Sequence, residues 1–304
     1  MKRVIKIMLK TLVMIGVLSG ACTAWIIWSN RTFGETFYTL YSRKIETPVR
    51  AVLLTDLHEK RFGENNQELI LRIGELKPDL ILIAGDALNK MQPDIEYVIR
   101  LCQSLSEIAP VYYGLGNHEN EIVYGTDLNK NYLESKAEAL GENQEDFSPL
   151  IQNGELLERL EENGIQVVQN QSVEALIKGN IIEIGGISTN LSSFWPYSGQ
   201  FVYGFSQQDQ DNFKILISHR PELVTQYIAG YPIDLVVSGH NHGGIIRIPG
   251  LGGLISADGG FFPECDEGMI EWEEMTMVIS RGLGGHGSVP RVFNQPELVI
   301  IDIN

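Results

Sequence analysis

Five of the six histidines in this 304-residue chain follow short apolar runs that read as strands. "LLTDLH" ends in Asp56 and His58, "YGLGNHE" carries Asn117 and His118, and "ILISH" ends in His219. "VVSGHNH" supplies His240 and His242, and a further run, "LILIAGD", ends in Asp86. Imidazole nitrogen mixed with carboxylate or carboxamide oxygen, without thiolate, is a donor set for divalent first-row cations. Sites in open α/β sheets form at the carboxyl ends of strands. Five strand ends therefore deliver these side chains to one rim, where a cluster of metal ions could stand. In "GHNHGG" both rings lie just past a strand end, on a loop whose glycines let them turn toward a common point.

Taken singly, each piece has an ordinary explanation. An Asp after a strand is usually a turn or a helix cap, and Gly-Asp is a tight turn. "GNHE" fits a turn with a surface histidine, and a lone His219 fits a satisfied structural one. The order of the five pieces and their shared position after strands favour the joint metal site. His286, between glycines in "GGHGS", stands outside the set. Arg220 and Arg281 could meet a phosphate, or could be surface salt bridges.

The elements that must position these residues alternate. Apolar runs at 49–55, 78–85 and 110–116 are separated by the amphipathic stretches 66–77 and 94–107. Strand-like runs return at 165–168, 181–188, 214–218, 234–238, 275–280 and 297–303. Strands alternating with helices predict a layered α/β domain, and unbroken apolar runs predict strands covered on both faces. Residues 31–48 read as a polar connector and 49–304 as the domain. The acidic stretch 120–163 reads as a helical insertion, with "ELLERLEENG" a helix stopped by Gly164. Residues 251–268 read as a glycine-rich surface loop.

The formal net charge of -16 argues against tracking a nucleic-acid backbone. An acidic chain that handles phosphate needs positive charge from elsewhere, such as metal ions. Of three cysteines, Cys22 lies in an N-terminal apolar run; Cys102 and Cys265 fit buried free thiols better than one bridge. Residues 11–29 carry no charge, follow Lys2, Arg3, Lys6 and Lys10, and end near Trp25 and Trp28. A stretch of that length reads as a membrane span, with residues 1–30 as a single-pass anchor to the cell membrane. A signal peptide, a lipoprotein leader or a buried core helix fits less well. The basic residues before the span favour an extracytoplasmic domain only modestly.

D-x-H, G-D, G-N-H-E, H and G-H-x-H, in that order, make the chain similar to the calcineurin-like metallophosphoesterases. The resemblance covers about residues 49–304, and "SRGLGGHGSVPRVFNQPELVIIDI" together with the anchor resembles the bacterial single-pass branch. That branch includes phosphodiesterases and nucleotide-sugar-lipid pyrophosphatases. The resemblance implies an α/β/β/α four-layer sandwich and two divalent metal ions (Mn, Fe, Zn, Co or Mg). Asp56, His58 and His242 would hold one ion, Asn117, His219 and His240 the other, and Asp86 would bridge them. His118 would bind no metal and would face the substrate as a catalytic acid, with Asn117 also touching a phosphoryl oxygen. Glu119 stands where Asp is frequent. Two cations about 3.5–4 Å apart would neutralise phosphoryl oxygens and acidify a bridging water as nucleophile. The expected reaction is hydrolysis of a phosphoester or phosphoanhydride bond; a UDP-sugar lipid pyrophosphatase is the second reading and a non-catalytic scaffold the third.

Overall fold

The computed structural model describes residues 2–125, 151–189, 198–285 and 289–304. Helix α1 (Lys2–Ser29) precedes the strands. The first sheet combines β1 (Gly34–Leu40), β2 (Val49–Leu54), β3 (Leu80–Ala84), β4 (Val111–Gly114) and β5 (Gln166–Val168) with the last strand of the chain, Glu297–Ile303. The second contains β6 (Gln171–Ile177), β7 (Asn180–Gly186), β8 (Phe213–Ile217) and β9 (Leu235–Ser238). After β9 come two short strands, β10 (Arg247–Ile248) and β11 (Gly252–Gly253), which pair only with each other. Strands β12 (Gly268–Glu271) and β13 (Thr276–Ile279) complete the second sheet, and β14 (Glu297–Ile303) closes the first.

Strand order is β1-β14-β2-β3-β4-β5 in one sheet and β12-β13-β9-β8-β7-β6 in the other. Strands β2 to β5 run parallel, as do β7, β8, β9 and β13, so their carboxyl ends share one edge in each sheet. Alternation along β2 and β3 assigns the layers. Val49, Ala51, Leu53, Leu80 and Leu82 meet Ile182, Ile215 and Val237 of the other sheet. Val52, Leu54, Ile81 and Ile83 face α2 (Gln67–Leu76) and α3 (Ile95–Ser106), through Leu69, Ile73, Val98 and Cys102. The outer face of the second sheet is covered by Val202 and Phe205 of the helix Gln200–Ser206 and by Leu223, Val224 and Ile228. The expected four-layer α/β/β/α sandwich is therefore the observed one. The strands read as unbroken apolar runs because both faces are buried.

Residues 31–48 are more than a connector. Strand β1 pairs in parallel with β14 from Gly34↔Glu297 to Leu40↔Ile303. It escaped the sequence reading because its burial alternates and it lies at the sheet edge, where every second side chain meets solvent. Phe33, just before it, packs edge-on against Phe62 with ring centroids 5.0 Å apart. The 120–163 stretch begins on the helix Asn117–Tyr124 (α4) and ends with the helix Glu155–Glu162, beyond which Gly164 takes φ 75°. Its middle, 126–150, and His286 lie outside the described residues. The three cysteines are free, Cys102 and Cys265 buried and Cys22 exposed.

Helix α1 is apolar over Arg3–Ser29, and its most apolar 18-residue stretch is not buried against the protein. Its end is nevertheless docked. Asn30 Nδ2 donates to the Arg291 carbonyl at 2.8 Å, and the Arg291 amide donates back to Asn30 Oδ1 at 3.1 Å. Trp25 lies 5.4 Å from Phe293, ring centroid to centroid. The protein-contacting region thus begins near Trp25, ahead of the boundary the sequence suggested. A chain starting at Asn30 is expected to stay soluble and cooperatively folded, whereas one starting at Val49 loses β1 and exposes β14. Thermal unfolding of both would check this: the Val49 start should lower Tm by about 5 °C or more, or give insoluble protein.

Candidate metal centre

The site grows from the residues that end the parallel strands. β2 leads to Asp56 and His58, β3 to Asp86, β4 to Asn117 and His118, β8 to His219, and β9 to His240 and His242. All seven expected metal ligands and His118 come to one edge of the paired sheets. Asp56, His58 and His242 present donor atoms within 4.8 Å of one another, and so do Asp86, His219 and His240. Asn117 Oδ1 lies 3.2 Å from His219 Nε2. The two rings of "GHNHGG" turn to two adjacent groups rather than to a single point.

The spacings fit cations. A zinc-like ion with bonds of about 2.05 Å places tetrahedral neighbours roughly 3.3 Å apart. The His58 and His242 Nε2 atoms are 3.2 Å apart, and His242 Nε2 is 3.7 Å from Asp56 Oδ1. His219 Nε2 is 3.3 Å from Asp86 Oδ2, and His58 Nε2 is 3.9 Å from the same oxygen. Asp86 therefore stands between the two groups. It is 2% exposed, and although burial opposes its charge, the facing histidines hold its pKa well below the usual carboxylate value. A buried anion ringed by imidazoles calls for cationic charge.

Neighbouring groups orient the rings, as is common for metal-binding histidines. His219 Nδ1 lies 2.7 Å from the Ala84 carbonyl and can donate to it, which leaves the Nε2 lone pair free. His240 Nε2 lies 3.3 Å from Asp258 Oδ2, a contact that leaves Nδ1 as the ring's other donor atom. The His240 amide donates to Asp56 Oδ2 at 2.9 Å and fixes that carboxylate. The His242 carbonyl accepts from Arg291 Nη1 at 3.2 Å and Asn294 Nδ2 at 2.7 Å. Arg291 is 1% exposed, and burial lowers its pKa to about 10.

Backbone strain concentrates here. Asp56, His58, Asp86, His240 and His242 have φ of 52°, 45°, 53°, 71° and 51°, the left-handed region that costs a non-glycine residue about 1–3 kcal/mol. Glycines make room where the strand ends nearly touch. A Cβ on Gly85 would stand 2.4 Å from Gly116 Cα, and one on Gly116 would stand 2.1 Å from Asp86 Oδ1.

Two features have roles that the sequence did not signal. Glu119 is a fully buried hub. Its carboxylate accepts the amides of Asp86 at 2.8 Å, Gly116 at 2.9 Å and Leu88 at 2.9 Å, and the Tyr113 hydroxyl at 3.1 Å. Burial and the Asp86 charge raise its pKa, so of these two neighbouring carboxyls Asp86 keeps its charge more readily. Asp258 comes from the stretch read as a surface loop and binds both His240 and Arg220, the latter at 2.5 Å. Arg220 is thus in a salt bridge, and Arg281 pairs with Glu297 at 3.0 Å and Glu267 at 3.1 Å.

His118 differs from the other histidines. Its Nδ1 accepts from the Lys90 amide at 3.2 Å and also lies 3.0 Å from the Leu88 carbonyl, to which it could donate in the other protonation state, and its Nε2 is 4.0 Å from Asp86 Oδ2. Its donor atoms also fall within 4.8 Å of those of His58 and Asp86. With His58 it borders an open pocket of about 480 Å³, also lined by Glu59, Asn89, Lys90 and Met91.

Residues 49–244 match the family described as calcineurin-like phosphoesterase. The chain belongs to that family. It is 26% identical to the UDP-2,3-diacylglucosamine pyrophosphatase LpxG of Chlamydia muridarum, over 83% of each chain. It is 26% identical to the phosphodiesterase YaeI of Escherichia coli, over 84% of this chain and 82% of that one. A solved structure of a phosphopantetheinyl hydrolase from Mycobacterium tuberculosis aligns over 79% of this chain and 91% of the other, at 12% identity and a TM-score of 0.44. The protein is a metal-dependent phosphoric ester hydrolase of this family.

Two measurements follow. Removing the Glu119 acceptors strands three backbone N–H groups, at about 1–3 kcal/mol each. Glu119→Ala should therefore lose about 3 kcal/mol or more in urea unfolding; a loss under about 1 kcal/mol would remove its role as a hub. Burial alone would lower the pKa of His219, yet Asp86 and Asp56 raise it to about 9. A ligand histidine must be neutral, so below pH 9 a proton competes with the ion. Mn²⁺ affinity measured calorimetrically should weaken toward pH 6, by up to about tenfold per unit for one proton. A flat profile would contradict the assignment of His219.

Proposed function

We propose that the protein hydrolyses phosphoester or phosphoanhydride bonds at a two-metal centre. In this reading Asp56, His58 and His242 hold one divalent ion, Asn117, His219 and His240 the other, and Asp86 touches both. The observation that carries it is the buried, charged Asp86 standing between two histidine-rich donor groups. The bound ions would supply Lewis-acid charge and an acidified water. Two carboxylates against two divalent ions would leave the centre positive, which suits an anionic phosphate on an otherwise acidic protein.

His118 is assigned the leaving-group proton. In the imidazolium form its Nδ1–H donates to the Leu88 carbonyl, and Nε2–H remains free for an oxygen in the pocket. Asn117 offers its carboxamide NH₂ to a phosphoryl oxygen while its Oδ1 faces the His219 side. Asn89 and Lys90, beside His118 in the pocket, lie where the leaving group would pass. No ligand of the expected set is missing, which favours an enzyme over a binding scaffold. We place α1 in a cell membrane as a single-pass anchor with the domain outside the cytoplasm. A nucleic-acid polymer is not a substrate in this reading.

The second reading is a pyrophosphatase acting on a nucleotide-linked lipid. It draws on the docking of α1 against Arg291, whose side chain binds the His242 carbonyl, and on the likeness to LpxG. Turnover of a UDP-linked lipid in vesicles, against a soluble aryl phosphodiester, would separate the two readings.

The test of the ligand and acid roles compares His118→Asn with His240→Asn. His240→Asn should empty or weaken one metal position by elemental analysis. His118→Asn should keep both ions and lose about 10²–10⁴-fold in rate on alkyl leaving groups. That loss should shrink for nitrophenolate, which departs without a proton. Loss of an ion in His118→Asn, or equal slowing of all leaving groups, would refute the assignment.

A further inference from the structure

The segment after the family-matched residues 49–244 builds a small layer beside the end of α1. Val292 bridges Ile246 in parallel, and the Arg247 amide donates to the Val292 carbonyl at 2.9 Å. The Leu254 amide donates to the Ile246 carbonyl at 2.7 Å, continuing the β10–β11 pairing. The Phe262 amide then donates to the Leu254 carbonyl at 3.0 Å, and Ile255 bridges Phe261. Val292, Ile246, Leu254 and Phe262 are therefore four successive rungs of one ladder. At about 4.8 Å per rung it extends roughly 14 Å from Val292 to Phe262.

Apolar side chains stay uncovered along and beside it. Phe261 is 72% exposed, Phe262 54%, Leu251 70% and Phe293 49%. Adjacent exposed phenylalanines on a single soluble surface are unusual and mark a contact with something apolar. The acidic residues Asp258, Asp266 and Glu267 are paired with Arg220, Arg247 and Arg281. The strong negative charge of the chain is thus partly compensated on this strip.

The position of α1 identifies the occupant. Phe293, next to the first rung Val292, stands with its ring 5.4 Å from that of Trp25, and Gln295 Nε2 donates to Thr32 Oγ1 at 3.0 Å. No loose linker separates helix from domain. At 1.5 Å per residue, Lys6 to Trp25 spans about 28 Å, close to the hydrocarbon thickness of a bilayer. Trp25 then sits at the interface, and the rung beside it lies at the same level.

We infer that the ladder from Val292 to Phe262 rests on the lipid bilayer, with Phe261 and Phe262 inserted at headgroup depth. This rests on the reading of α1 as a membrane anchor. The same hairpin carries Asp258 to His240, so the docked surface is joined to the metal centre and the site opens at the level of the lipid headgroups.

The full chain is reconstituted in phosphatidylcholine vesicles, in a Cys22→Ser background. Single nitroxide labels are placed by Leu18→Cys, Phe262→Cys and Leu176→Cys. Leu176 is 76% exposed on β6, which is antiparallel to β7, so it lies at the end of the sheet away from the site. Collision with oxygen and with a water-soluble nickel chelate reports depth. Expected are a Leu18 label in hydrocarbon, a Phe262 label at the interface and a Leu176 label in water. A Leu18 label in hydrocarbon with a Phe262 label as wet as that at Leu176 overturns the docking surface and leaves the anchor. A Leu18 label in water overturns the anchor and the docking with it. In parallel, a Phe261→Ser, Phe262→Ser protein should keep its rate on a soluble aryl phosphodiester. On a vesicle-embedded phosphodiester it should lose about tenfold or more in kcat/KM, the effect of one lost aromatic insertion. Equal rates on both substrates would contradict the inference.

Discussion

Asp86 is a carboxylate with almost no access to water, held ionised by histidines rather than by lysine or arginine. Much of the architecture around it supports that one buried charge. Two sheets aim the carboxyl ends of their parallel strands at it. Glu119 grips its amide, Gly116 leaves space for its oxygen, and His219 lies between it and Asp56. A group this costly to bury persists where cations offset it, and five strained ligand positions point to the same conclusion.

The sheets were legible in the sequence because their central strands are buried on both faces. "ILIAG" and "ILISH" cannot sit at a surface. β1, β6 and β12 were not: they lie at sheet edges and expose alternate side chains, so they carry no unbroken apolar run, and β1 read as a polar connector. The ligands were legible because each follows an apolar strand directly. Glu119 was visible by position yet not by role, since its partners at Asp86 and Leu88 arrive from another strand end. Asp258 had no local signal: the backbone bonds of Leu254 and Ile255 to Ile246 and Gly244 bring its hairpin to His240. The contacts of Asn30 and Phe33 had no local signal either, because their partners are at Arg291 and Phe62.

Helix α1 is continuous with the site through a short chain of contacts. Asn30 binds the backbone of Arg291, and the Arg291 side chain binds the backbone of His242. The last turn of α1 and one edge of the candidate metal centre are thus linked through Arg291. In the proposed reading of α1 as an anchor, these contacts would hold the catalytic edge close to a lipid surface.

Anomalous diffraction from crystals soaked in Mn²⁺ should show whether two cations share Asp86. Expected are two peaks about 3.5–4 Å apart, one against Asp56, His58 and His242 and one against Asn117, His219 and His240, both touching Asp86. A single peak, or a peak bound by His118, would rule out the shared pair.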